Sequence, residues 1–288
     1  MPIAVFTTSS GPHKLGKIFG DALVDLSIAA PDLPGDIIGF LAAGDAARAA
    51  YDRVTPEHGL IPLAQVTLHA PVPNPEKYLA IGMNYADHGA EAKELGLDVP
   101  KYQLWFNKQV SCITGPFDPV VAPKVSEKLD YEAELAVVIG KTCRYITPEE
   151  APGVVGGYMV ANDVSARDWQ LRTGTMPLGK SFDTPGPIGP WLTLPDEIAD
   201  PHALRLRTLV NGEVRQDGNT RDLIHDIWAQ ISYLSQVMTL KPGDILATGT
   251  PSGVGVAMKP PVFLQVGDVV RIEIDGLGHI ENRVVTDG

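Results

Sequence analysis

The chain has 288 residues, of which 44% are hydrophobic and 20% are charged, a composition typical of a globular protein with a large core. Its 35 acidic residues outnumber its 23 Lys and Arg, and the net charge of −12 makes nucleic acids and anionic membranes unexpected partners. The 2 cysteines form no disulfide framework, and no stretch matches a signal peptide or a transmembrane span. We therefore expect a cytoplasmic protein.

The N-terminal quarter predicts a small α/β module over residues 1–70. Residues 14–26 alternate in polarity around a Gly-Asp turn, which favours a hairpin, and residues 37–51 are Ala-rich with helical spacing. A proline-rich connector at 70–75 then separates this module from a catalytic domain predicted over 71–288.

Two glutamates stand at the start of an apolar run that predicts a buried strand ending at Gly140. Because side chains alternate along a strand, Glu132 and Glu134 face the same way, roughly 6–7 Å apart. Two carboxylates on one buried face repel each other, and a divalent cation between them would reverse that cost. The alternative at this point is a strand whose glutamate-bearing face is exposed to solvent.

A third acid follows a second short apolar strand at Asn162-Asp163, and a polar segment with Arg167 and Gln170 comes next. Three carboxylates with open positions are typical of a Mg²⁺ site. No cluster of Cys or His in the sequence competes for zinc.

A possible general base lies between these regions and the N-terminal module. A short strand gives way at Gly82 to a segment with helical character, in which His88 and Glu91 at i and i+3 share one side. A carboxylate beside an imidazole raises its basicity and fixes its tautomer. An exposed helical pair without a function is the alternative. The Gly- and Pro-bearing segment 94–100 predicts a mobile lid.

The rest of the chain contains further recognisable elements. Thr-Pro-Glu-Glu at 147–150 predicts the start of a helix over 147–155, and Asn211-Gly212 predicts a hairpin within 204–216. Residues 220–240 form an amphipathic helical pattern. The C-terminal tail alternates around a turn at 275–278, which predicts two strands.

Two loops contain groups that could bind an anionic ligand. Lys180 lies among small residues in a turn-rich segment, where it can approach an anionic ligand closely. The glycine-rich segment 249–255 lacks the Gly-Lys-Ser/Thr of a phosphate loop and the Gly-x-Ser-x-Gly of a serine hydrolase. Its backbone N–H groups and the Thr250 hydroxyl would instead suit a carboxylate.

Together these motifs resemble the fumarylacetoacetate hydrolase family over roughly residues 75–285. The shared strings are Glu-x-Glu at 132–134, Asn-Asp-x-Ser-Ala-Arg-Asp-x-Gln at 162–170, and Gly-x-Asn-Tyr at 82–85 before His88. The resemblance implies an α+β, mostly β fold, a mixed β-sandwich roll of this family's type with a small N-terminal α/β module. It also implies a homodimer and bound Mg²⁺ or Mn²⁺.

The resemblance assigns roles by position in these motifs. The metal ligands would be Glu132, Glu134 and Asp163. The catalytic residues would be His88, Glu91 and Lys180. The substrate-binding residues would be Arg167, Gln170, Thr250, Lys108 and Tyr85. Gly89 would loosen the helix that holds the dyad, because glycine costs about 1 kcal/mol there relative to alanine.

The activity implied by the resemblance is hydrolysis of a C–C bond in a 2,4-diketo acid, an acylpyruvate or a sugar-derived diketo acid, with release of pyruvate. A small 2-oxo acid would then be the substrate. The same residues would support two alternatives, decarboxylation of oxaloacetate or isomerisation of a 2-hydroxyhepta-2,4-diene-1,7-dioate. A module that binds a metal or ligand without turnover is the non-enzymatic alternative.

Overall fold

The computed structural model describes residues 1–8, 11–94, 96 and 100–288. Most of the predicted lid at 94–100 therefore lies outside the described residues. Strands outnumber helices in this part of the chain. The strands are β1 (Ile3–Thr7), β2 (Lys14–Phe19), β3 (Ala22–Asp25), β4 (Ile61–Pro62), β5 (Thr67–His69), β6 (Tyr78–Gly82), β7 (Leu104–Asn107), β8 (Ile113–Thr114), β9 (Val120–Ala122), β10 (Leu129–Asp130), β11 (Ala133–Ile139), β12 (Val155–Asn162), β13 (Ser165–Ala166), β14 (Gly186–Thr193), β15 (Arg205–Val210), β16 (Glu213–Asn219), β17 (Ile245–Ala247), β18 (Val269–Ile274) and β19 (Gly278–Thr286). The helices are α1 (Leu26–Ala29), α2 (Ile37–Ala42), α3 (Gly44–Asp52), α4 (Ala86–Glu94), α5 (Arg167–Gln170), α6 (Pro177–Lys180) and α7 (Ile227–Val237).

Most strands belong to two sheets. The long sheet has the order β4-β3-β2-β1-β14-β12-β11-β17-β6-β7, with β5 also pairing to β1 and β8 to β14. The short sheet has the order β16-β15-β18-β19-β9. The pairing of β1 with β14, at Ile3 and Leu192, joins the N-terminal strands to the rest of the long sheet.

Strand β11 lies at the centre of the molecule and is buried on both faces. Its Leu135 and Val137 belong to the core shared with the short sheet, whereas Ala136 and Val138 belong to the core beneath α2 and α3. A strand covered on both faces needs an uninterrupted apolar run, as found here. Two packed sheets with helices on the outer face confirm the expected α+β, mostly β sandwich.

The hairpins that were predicted from residues typical of turns are present in the structure. The hairpin predicted at 14–26 is β2–β3, and the one at Asn211-Gly212 is β15–β16. Residues 37–51 form two helices, α2 and α3, instead of one, because Gly44 with φ +59° follows the end of α2. The two C-terminal strands are β18 and β19.

Two helix predictions were wrong in extent. Residues 147–155 form only a short 3₁₀ helix at Ala151–Val154 before β12 begins, since Gly153 and the β-branched residues after it favour extended structure. Helix α7 begins at Ile227, where the Asp226 side chain accepts the N–H of Ala229 and sets the N-terminus. Among the described residues, no helix is long and apolar enough to cross a membrane.

Candidate active site

Three buried carboxylates meet where β11 begins and β12 ends. Glu132 immediately precedes β11, Glu134 lies within it, and Asp163 follows β12. The antiparallel pairing of Ala133 with Asn162 places the two strand ends side by side, and the Asp163 N–H donates to the Glu132 carbonyl at 3.0 Å. One oxygen from each carboxylate lies within 4.8 Å of the others. The sequence pattern thus brings all three predicted metal ligands together.

Three buried cations pair with two of these acids. Lys180 Nζ donates to Glu132 Oε2 at 2.6 Å and to Asp163 Oδ2 at 2.7 Å. Lys108 Nζ donates to Asp163 Oδ1 at 2.7 Å, and Arg167 Nη1 donates to Glu132 Oε1 at 2.6 Å. Both oxygens of Glu132 and of Asp163 are therefore held by positive charge.

The directions of the pKa shifts in the cluster follow from the fact that Glu132 and Asp163 are paired with cations and Glu134 is not. Burial would raise the pKa of Glu132, but Lys180 and Arg167 bring it well below its usual range. Burial also raises the pKa of Glu134, and the charges of Asp163 and Glu132 raise it further. Burial alone would lower the pKa of Lys180, yet Asp163 and Glu132 raise it.

Glu134 lacks a cationic partner among the described residues and accepts one hydrogen bond, from the Gly249 N–H at 2.9 Å. A buried carboxylate with a single neutral donor is costly to ionise, and a cation beside it removes that cost. The donor set consists of hard carboxylate oxygens, which suit Mg²⁺ or Mn²⁺ better than a softer ion. Glu132, Glu134 and Asp163 therefore fit a divalent cation of this type.

The predicted His–Glu pair forms on helix α4. His88 Nδ1 lies 3.1 Å from Glu91 Oε2, and a carboxylate at this position favours the tautomer with the proton on Nδ1. Glu91 Oε1 accepts the N–H of Gly253 at 2.9 Å, which fixes the carboxylate in turn. Both side chains are partly buried, at 15% and 25% exposure.

The dyad and two of the three carboxylates line one cavity of about 90 Å³. His88, Glu91, Glu132 and Glu134 all contribute to its wall. Apolar side chains complete the lining, among them Phe106, Leu171, Met176 and Val254. A concave, mostly apolar site with a few convergent polar groups is the usual form of a small-molecule site.

Three of the predicted substrate-binding residues line this cavity: Arg167, Gln170 and Thr250. The Arg167 Nη2 is buried without a hydrogen-bond partner among the described residues, so it can receive an anionic ligand. Gln170 Oε1 accepts from Arg167 Nη1 at 3.0 Å. Thr250 Oγ1 accepts from Gln216 Nε2 at 2.8 Å, which leaves its own O–H free to donate.

Lys108 and Tyr85 lie behind the cavity instead of on its wall. Lys108 is 2% exposed and donates to Asp163 and to the Pro185 carbonyl. Tyr85 is fully buried, burial raises the pKa of its hydroxyl, and that hydroxyl has no hydrogen-bond partner among the described residues. Lys108 therefore contacts the carboxylate cluster through Asp163.

Asp130 is a site residue that sequence reasoning missed. Its carboxylate is fully buried, accepts Arg167 Nε at 2.8 Å and accepts the N–H groups of Gly255 and Val256 at 2.8 and 3.0 Å. A signal was present, because Asp130 lies two residues before Glu132 in the same alternation. The backbone N–H groups of the glycine-rich loop contact carboxylates of the protein itself, Glu134 and Asp130.

Comparison with known proteins gives one consistent result. The family sequence model described as fumarylacetoacetate (FAA) hydrolase C-terminal matches residues 77–285. The Bos taurus protein named oxaloacetate tautomerase FAHD2A, mitochondrial, is 46% identical over 280 residues, which cover 96% of this chain and 88% of that protein.

Two solved structures share both fold and sequence with the chain. Maleylpyruvate hydrolase from Sphingobium sp. SYK-6, in complex with manganese(II) ion and pyruvate, is 38% identical with a TM-score of 0.83, and the match covers 100% of each chain. The 5-carboxymethyl-2-hydroxymuconate delta-isomerase from Mycobacterium smegmatis is 34% identical with a TM-score of 0.78, again over 100% of each chain. The chain therefore belongs to the fumarylacetoacetate hydrolase family, a family of enzymes that includes hydrolases, isomerases and tautomerases.

Proposed function

We propose that the chain hydrolyses the C–C bond of a 2,4-diketo acid in a reaction that depends on Mg²⁺ or Mn²⁺ and releases pyruvate. The observation that supports this most is the shared cavity. A His–Glu pair able to activate water faces the same space as Glu132 and Glu134, which together with Asp163 form a buried cluster able to hold a divalent cation. Neither group alone would favour hydrolysis over simple binding.

Glu132, Glu134 and Asp163 would hold the ion. When bound there, such an ion supplies a Lewis acid for the carboxylate and keto oxygens of a 2-oxo acid. The Sphingobium maleylpyruvate hydrolase, whose structure contains manganese(II) and pyruvate, supports both the metal class and the 2-oxo acid.

The side chains of the cavity account for the remaining steps. His88 Nε2 removes a proton from water while Nδ1 donates to Glu91, and the water oxygen attacks the C4 carbonyl of the substrate. The C3–C4 bond breaks, and its electron pair moves into the enolate of pyruvate. The protonated His88 returns its proton to C3, which gives pyruvate and the carboxylic acid derived from the acyl group and restores the neutral imidazole. The positive charge of Lys180 favours the enolate, and Arg167 Nη2 holds the substrate carboxylate.

Keto–enol tautomerisation of oxaloacetate is a second candidate. It is favoured by the 46% identity to the Bos taurus oxaloacetate tautomerase over nearly the whole chain. The same His–Glu pair would then move a proton between C3 and the enol oxygen without breaking a C–C bond. The two candidates differ in whether water is a reactant.

Parallel assays distinguish them. Pyruvate release from acylpyruvates and a sugar-derived diketo acid is measured beside the decay of enol-oxaloacetate absorbance, with Mn²⁺ or Mg²⁺ and with chelator. We expect pyruvate release that the chelator abolishes. Enol decay accelerated without pyruvate from any diketo acid would replace the hydrolase with the tautomerase, and activity unaffected by chelator would overturn the metal assignment.

A substitution at the dyad tests the role of water activation. His88→Ala should lower kcat for hydrolysis by about 10²–10⁴-fold, the usual scale of general-base help. His13→Ala serves as the control, because His13 is exposed and stacks on His69 in the N-terminal region. Equal kcat values for the two variants would contradict the assignment of His88 as the base.

A further inference from the structure

A single loop, residues 249–256, connects the two halves of the site. At one end the Gly249 N–H donates to Glu134 Oε2 at 2.9 Å. At the other end the Gly255 and Val256 N–H groups donate to Asp130 at 2.8 and 3.0 Å. Both ends of the 249–256 loop are thus attached to the strand region that carries the metal-binding carboxylates.

The middle of this loop is also held in place. Gly253 adopts a φ of +99°, and a side chain there would collide with the carbonyl of Arg215. Tyr131 donates its hydroxyl to the Gly253 carbonyl at 2.9 Å, and Gln216 Nε2 donates to the Pro251 carbonyl at 2.9 Å. The loop is therefore a fixed support against which another element can be positioned.

Helix α4 is the element that rests on this support. Ser252 Oγ donates to Asp87 Oδ2 at 2.6 Å, and the Ser252 N–H approaches the same oxygen at 3.3 Å. Asp87 Oδ1 accepts the N–H of His88 at 2.7 Å. One residue further along the loop, the Gly253 N–H donates to Glu91. The loop thus contacts the helix at the residue before the base and at the acid that orients the base.

The geometry points to Ser252 and Asp87 as positioning residues that latch helix α4 onto the 249–256 loop and so hold the His88–Glu91 dyad over the metal-binding carboxylates. The Gly249 and Asp130 bonds do not involve the Ser252 side chain, so loss of the latch leaves the carboxylate cluster intact. It frees the helix that carries the base. An ordinary surface hydrogen bond, by contrast, would affect neither the helix nor the reaction.

The chain offers a matched control in Ser27. Ser27 donates its hydroxyl to Asp25 Oδ1 at 2.6 Å and its N–H to the same oxygen at 2.9 Å, in the N-terminal region. The donor and acceptor groups are the same as at Ser252 and Asp87, but Asp25 also pairs with Lys14, and no residue of the cavity is involved. Ser27→Ala therefore removes a hydrogen bond of the same type outside the site.

Hydrogen–deuterium exchange on the full chain tests the latch without any substrate. In Ser252→Ala the amides of residues 86–94 should exchange about tenfold faster than in the wild type, as expected when a charge-assisted hydrogen bond is lost. Ser252→Thr should restore protection, and Ser27→Ala should leave α4 unchanged. Unchanged exchange of α4 in Ser252→Ala would overturn the proposal.

A second, kinetic experiment rests on the proposed function and uses the acylpyruvate that the wild-type chain cleaves fastest. Ser252→Ala should lower kcat about tenfold with Mn²⁺ affinity unchanged, and Ser252→Thr should recover kcat. Adding Asp87→Ala to Ser252→Ala should cause little further loss, because the pair acts as a unit. Mn²⁺ affinity that falls in parallel with kcat would indicate general damage to the site and overturn the latch. Should the wild type cleave no acylpyruvate, the exchange experiment still decides the latch by itself.

Discussion

Glu134 differs from the two carboxylates beside it in how its charge is balanced. Glu132 and Asp163 are paired with buried cations, whereas Glu134 accepts one backbone N–H among the described contacts. Burial and the neighbouring charges raise its pKa. An ionised Glu134 therefore destabilises the metal-free protein, and a divalent cation offsets that cost.

Replacing Glu134 should separate these two effects. Glu134→Gln removes the buried charge, so the metal-free variant should melt at the same temperature as the wild type or higher. Mn²⁺ should raise the Tm of the wild type but not of the variant. Thermal scans with and without Mn²⁺ measure both, and Glu127→Gln, at an exposed glutamate, should respond like the wild type. A variant that still gains stability from Mn²⁺ would contradict the role of Glu134.

Sequence could predict the acids of the site better than the partners that hold them. Glu132 and Glu134 follow from the period of a strand, which is local information. One partner of Asp163 is Lys108, 55 residues earlier in the chain, and no periodicity predicts a contact at that separation. The family resemblance put Lys108 near the site, but only the fold places it behind Asp163.

At the scale of elements, one buried lysine joins a hairpin to a helix. Lys17 in β2 donates to the carbonyls of Tyr51 and Val54, both at 2.9 Å, at the C-terminal end of α3. Its Nζ also lies 4.5 Å from the centre of the Tyr51 ring. Carbonyls at a helix C-terminus lack intrahelical donors and favour a cation, so Lys17 satisfies groups that the helix cannot.

Lys17→Met should therefore lower the free energy of unfolding by about 3 kcal/mol, since it leaves several carbonyls without a donor. Urea denaturation at neutral pH measures the change. Lys14→Met, in the same strand but at a more exposed ion pair with Asp25, should cost less than about 1 kcal/mol. Equal costs for the two variants would show that the carbonyl bonds of Lys17 contribute little.

Local sequence was enough to predict some of these elements and not others. The Asn211-Gly212 turn specified its hairpin because both residues adopt positive φ, at 52° and 83°. The helix predicted over 147–155 does not form in full, because Gly153 and the β-branched residues after it favour extended structure more strongly than the proline near its start favours a helix. The buried position of Lys17 could not be predicted from the sequence, because a lysine in an alternating strand is usually solvated.

At the scale of the whole molecule, the N-terminal region and the rest of the chain share a core. Ile3 and Phe40 pack in the same cluster as Ala136, Val138 and Met159 of the central strands. The long sheet continues through the pairing of β1 with β14. Sequence placed a proline-rich connector at 70–75 correctly as a loop, but it gave no indication of this long-range pairing.

A shared core predicts a single unfolding transition. Phe40→Ala should lower the Tm of the whole chain and cost about 3–5 kcal/mol, because Phe40 is 3% exposed in that core. Differential scanning calorimetry should give one peak for both the wild type and the variant. Ile28→Ala, at an exposed residue of the same region, is the control. A second peak that separates in the variant would mean that residues 1–70 unfold independently.

The three buried cations affect how a metal ion would bind to and leave this site. Lys108, Lys180 and Arg167 neutralise most of the acidic cluster within the folded chain, so the scaffold does not depend on an ion to hold its carboxylates together. The ion proposed for this site can then leave and return as a simple exchange, without refolding. If the site takes Mg²⁺ or Mn²⁺ as proposed, the relative concentrations of the two ions would decide which one binds more than a selective cage would. The proposed turnover would then follow the supply of manganese and magnesium around the protein.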